Sequence, residues 1–101
     1  MHKSSDQNSE PAVVKDAFEI KPQHNTGHDM GVVAVLNRLV AESPEVLVGL
    51  VAFVRTPDGR TFRAKVADAR YHGTANSLFF KSLTTADVPV GSSVELHGDS
   101  M

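Results

Sequence analysis

The run Val46 to Arg70 constrains the fold more than any other part of this 101-residue chain. It holds two β-prone segments separated by Thr56-Pro57-Asp58-Gly59. Pro57 pre-sets φ at the first central turn position, Asp58 tolerates the second, and Gly59 reaches the left-handed geometry that closes the turn. This tetrad favours a three-residue loop with a bulge at the glycine, pairing Thr56 with Arg60. The rest of the register follows by alternation. Val54 faces Phe62, Ala52 faces Ala64 and Leu50 faces Val66, which makes one side apolar. On the other side Arg55 meets Thr61, Phe53 meets Arg63 and Val51 meets Lys65.

The flanking chain is read around this hairpin. Residues 1–11 lack large apolar groups, apart from the initial methionine, and are expected to form a disordered N-terminal tail ahead of a single domain over 12–101. Ala12–Ile20 (AVVKDAFEI) fits a strand face or a helix face; a short strand is preferred, ended by Pro22. Lys21 to Met30 is loop-like. A helix is expected over Asp29–Glu42, capped by Thr26 or Asp29, because Val32, Leu36, Leu39 and Val40 recur at i, i+4, i+7 and i+8. Pro44 supplies its stop. Leu47–Val54, Thr61–Arg70, Thr74–Leu83 and Ser93–His97 read as strands, with a turn at Val88-Pro89-Val90-Gly91-Ser92. The expected fold class is α+β. It is a small antiparallel meander, or a partly open β-barrel of four to five strands, with one packed α-helix.

Composition excludes several chemistries. With no cysteine there are no disulfides, thiolate zinc sites or thiol nucleophiles, which fits a cytoplasmic protein. No apolar run approaches the ~20 residues a spanning helix needs, so no membrane association is expected. Met1 to Asp6 opens without the apolar core of a secretory signal. The net charge is −2, yet residues 46–81 hold six Lys or Arg against two Asp, a local +4. Both flanks are acidic.

That basic stretch supplies the candidate binding residues Phe53, Arg55, Arg63, Lys65 and Phe79. Neighbours across a strand pair stand close enough for the Arg63 guanidinium to lie over the Phe53 ring. Alternation at Phe79-Phe80 puts one ring on each face; with Phe80 in the core, Phe79 joins Arg63 and Lys65. An aromatic, basic sheet surface stacks bases and neutralises phosphates of single-stranded nucleic acid. A structural use of the same face is favoured over binding. Cationic stems cover apolar surface, and the helix over 29–42 has Phe53 and Val51 as a landing site.

Other constellations are weaker. His24 and His28 stand four apart, but Gly27 makes this a loop, and no metal site is expected. Asp68 falls on the same predicted face as Phe62 and Val66, at the sheet margin, where pairing with Arg70 or capping the next turn is preferred to a catalytic role. Gly98-Asp99-Ser100 lacks the helix and downstream histidine that a nucleophilic serine needs. The glycines form no phosphate loop, so no cofactor is expected. The functional expectation is a non-enzymatic interaction module that regulates or assembles a protein partner, as a monomer or weak homodimer. The alternative is a single-stranded nucleic-acid-binding sheet.

Overall fold

The computed structural model describes residues 11–20 and 30–98. Over these the chain forms β1 (Ala12–Ile20), β2 (Gly31–Leu36), β3 (Val51–Arg55), β4 (Thr61–Lys65), β5 (Asp68–His72), β6 (Ala75–Lys81) and β7 (Ser93–His97). A single 3-10 turn spans Pro44–Leu47. All seven strands belong to one sheet of order β4-β3-β7-β1-β2-β6-β5, and every pairing is antiparallel.

This corrects the α+β expectation. Among the described residues there is no α-helix, and the strands outnumber the four or five expected. The segment assigned to a helix contains β2, Gly31–Leu36. Val32 and Leu36 fit the helical spacing because β2 is apolar throughout, while Leu39 and Val40 lie beyond it in the irregular stretch 37–43. Val32, Ala34 and Leu36 point into the core, while Val33 and Val35 occupy the other face. A strand buried on both faces needs no alternation. Three of its six residues are valines, whose branched Cβ restricts χ1 and suits extended backbone. Pro44 does not end a helix; it starts the 3-10 turn, where its missing N–H is no loss.

The hairpin forms in the expected register, with Val54 opposite Phe62, Ala52 opposite Ala64, Phe53 opposite Arg63 and Val51 opposite Lys65. Thr56 N–H donates to Arg60 O at 2.9 Å, and Arg60 N–H donates back to the Thr56 hydroxyl at 3.0 Å. The Thr56 hydroxyl also donates to the Asp58 carboxylate. That bond, followed by the Arg60 guanidinium, holds the Asp58 carboxyl below its ordinary range. Gly59 has φ of 95°, and a Cβ there would touch nothing. Gly59→Ala therefore isolates the backbone cost. It should lower stability by about 1–2 kcal/mol, read as a reduced urea midpoint with unchanged m.

Thr61 to Arg70, expected as one strand, is divided in two. Val66 N–H donates to Leu50 O at 2.9 Å, keeping Val66 beside β3, whereas Ala67 N–H donates to Phe79 O at 2.8 Å. One peptide bond thus carries the chain from one end of the strand order to the other. A flat sheet of seven strands would hold those ends ~29 Å apart at the usual strand spacing. The sheet must curl, and it does so around one core. Phe80, Leu36, Leu78, Val14, Val32, Val54, Val66 and Val88 are fully buried there. β1 spans both halves of the curl. Its start pairs with β7, the remainder pairs with β2, and the register shifts between Val14 and Asp16.

Candidate functional site

Two separate outward surfaces result from the curl. The first is the face predicted from the hairpin. Phe53 is 44% exposed; no helix covers it. The Arg63 guanidinium carbon stands 5.3 Å from its ring centroid, within the range of a cation–π contact. Lys65 neighbours Val51, and Arg55 neighbours Thr61, so four of the five candidate residues share this face.

β7 adds two groups that the hairpin alone does not reveal. It pairs with the other edge of β3, placing Glu95 beside Phe53 and His97 beside Val51. The His97 ring meets Phe53 edge-on, with centroids 4.8 Å apart and planes at 64°. His97 Nε2 lies 3.6 Å from the Glu95 carboxylate. Phe53 is therefore flanked by a guanidinium on one side and by an imidazole and a carboxylate on the other. No sequence signal within the hairpin indicates which strand lies along its second edge, so Glu95 and His97 had no basis for selection.

The fifth candidate, Phe79, does not join them. It sits on β6, and β7, β1 and β2 intervene between β3 and β6. That separation is ~19 Å along the sheet at normal spacing. Phe79 does face outward, as expected once Phe80 is in the core, but on the other half of the curl.

There it contributes to the second surface, an open cleft of about 770 Å³ lined mainly by β1, β2, β6 and β5. One row of this face runs Phe18, Val33, Phe79 and Asp68 across those four strands. Phe18 and Ile20 are 42% and 40% exposed. Phe79 leans over Gly31, so close that a Cβ on the glycine would stand 2.8 Å from Phe79 Cε1. A charged pair sits at one margin. Arg70 bonds the Asp68 carboxylate at 3.2 Å and His72 follows on the same strand, while Lys81 lines the cleft at the other end of β6, opposite Gly31.

Asp68 was expected on the core face. Ala67 and Asp68 both stand opposite Phe79, an extra residue that shifts the alternation. Ala69 takes the core position, and Asp68 turns outward to Arg70, the partner preferred from sequence. His24, His28 and the Gly98-Asp99-Ser100 serine lie outside the described residues. Among the described residues, no three His, Asp or Glu side chains converge to hold a metal ion. No helix among them is long and apolar enough to cross a membrane. Comparison with family models, with curated proteins and with solved structures finds no match.

Proposed function

We propose that this chain is a non-catalytic interaction module whose apolar cleft receives a segment of a protein partner, regulating or assembling that partner by docking. The observation that carries this reading is the row Phe18–Val33–Phe79. These side chains lie on the outward face of a sheet whose inward face already packs the core, where an antiparallel sheet normally presents polar groups to water. Contiguous exposed apolar surface of this kind marks interaction sites. The β5 side of the cleft carries the Arg70–Asp68 pair and His72. A complementary segment presents apolar side chains. The cysteine-free sequence needs no oxidising compartment, and the cytoplasm is the compartment we assign within this proposal.

A display selection of random peptides on the full chain tests it. Enrichment of apolar peptides is expected. Phe18→Ser and Ile20→Ser should each weaken the selected peptides about tenfold or more, because each removes burial of about 1.5–3 kcal/mol. Both positions are half exposed, so folding should survive, and far-UV circular dichroism verifies that. No enrichment, or enriched peptides indifferent to both substitutions, would remove the cleft as the docking site.

A further inference from the structure

We infer that the opposite face, centred on Phe53, is a second binding site, one that takes single-stranded nucleic acid. It rests on observations independent of the cleft. Arg55, Arg63 and Lys65 lie on the outward side of β3 and β4, in adjacent registers around one exposed aromatic ring. Two other cations pair locally, Arg60 with Asp58 and Arg70 with Asp68. None of the three on this face has an ion-pair partner among the described residues. Among the described residues, the carboxylate that the strand register places beside Phe53 is Glu95, 3.6 Å from His97 Nε2. A cationic face has thus been assembled on a chain of net charge −2.

Charge complementarity calls for a polyanion, and Phe53 narrows the choice. An exposed ring stacks a base, and the guanidinium of Arg63, already over that ring at 5.3 Å, offers a second planar surface. Arg55, Lys65 and the N–H edge of the Arg63 guanidinium meet phosphates. The surface is the outer side of the curled sheet, and among the described residues no helix or ribbon projects from it to enter a duplex groove. Bases must therefore be unpaired to reach Phe53. Glu95 opposes phosphate approach from the β7 side and directs the backbone towards β4.

The probe is a fluorescein-labelled oligo-dT or oligo-U, titrated with the full chain and followed by anisotropy at low salt. Binding should weaken with salt at a log–log slope of about −2, for three phosphates contacted on a single strand. Phe53→Ala should weaken it about five- to hundredfold, the range expected for one lost base stack. Arg63→Glu should weaken it further and flatten the salt slope. Glu95→Gln should tighten it, by up to about fivefold, as loss of one exposed charge interaction allows. Phe53 is exposed, so its removal leaves the core intact, and the urea midpoint checks that. Absence of binding at low salt overturns the inference. So does binding unchanged by Phe53→Ala, or an equal preference for duplex, since either leaves only nonspecific charge attraction. Phe18→Ser should not alter oligonucleotide binding, and cleft-selected peptides should not compete, so either site can fail alone.

Discussion

Gly31→Ala is expected to destabilise the protein by about 3 kcal/mol or more, enough to unfold a marginal domain. Gly31 opens β2 between Ile20 of β1 and Lys81 of β6. Its backbone needs no left-handed φ, so the requirement for glycine is one of space. An added Cβ would overlap the carbonyl oxygen of Phe80 and stand 2.8 and 2.9 Å from two ring carbons of Phe79. The ring can rotate away. The carbonyl cannot, because it belongs to the main chain of β6, on the strand that carries the fully buried Phe80 and Leu78. Alanine must therefore part β2 from β6 where the two strands approach. A urea denaturation series measures the loss. Gly98→Ala is the control, since a Cβ at Gly98 meets nothing, and it should change little. A Gly31→Ala protein as stable as wild type would show that β2 and β6 do not approach as described. The substitution should also shift Phe79 and weaken cleft-selected peptides, a link between fold and site that Gly98→Ala lacks.

Asn76→Ala should cost about 2–4 kcal/mol, through two amides each losing a partner at about 1–3 kcal/mol. Asn76 is fully buried on β6. Its side-chain oxygen accepts from Val40 N–H at 2.7 Å and Ala41 N–H at 3.0 Å. Its own backbone N–H donates to Arg38 O at 3.4 Å. The stretch from Asn37 to Ser43 has no regular secondary structure to satisfy its amides, so this one side chain substitutes for a ladder. Its Nδ2 has no hydrogen-bond partner, a cost that the two accepted bonds offset. Hydrogen exchange gives a local reading. Val40 and Ala41 amides should exchange much faster in Asn76→Ala, beyond what global destabilisation explains. Unaltered exchange at those two amides, with full stability retained, would refute the pinning role.

Much of the local structure was legible before any tertiary contact was known. Turn chemistry at Pro57, Asp58 and Gly59 acts over four residues, and alternation then propagates the register along both strands. The same reasoning recovered the last strand and the outward aspect of Phe79, because both depend on neighbours in sequence. It failed on β2. A continuously apolar run satisfies helical and extended spacing alike, and the choice was made by β1 and β6, which supply strand partners on both of its edges.

The candidate site divides along the same line. Phe53, Arg55, Arg63 and Lys65 belong to one hairpin, so their sharing a face was determined by the sequence through short-range geometry. Which strands flank that hairpin is a matter of long-range pairing. Tertiary structure alone placed Glu95 and His97 beside Phe53, moved Phe79 four strands away, and left Phe18, Ile20 and Val33 to floor a cleft. It also broke Thr61–Arg70 at Val66-Ala67, where the curl of the sheet outweighed the preference of an alternating segment to continue. Register is set by steric rules acting between adjacent residues. Strand order is set by burying all the apolar faces at once, and that balance exists only in the assembled sheet.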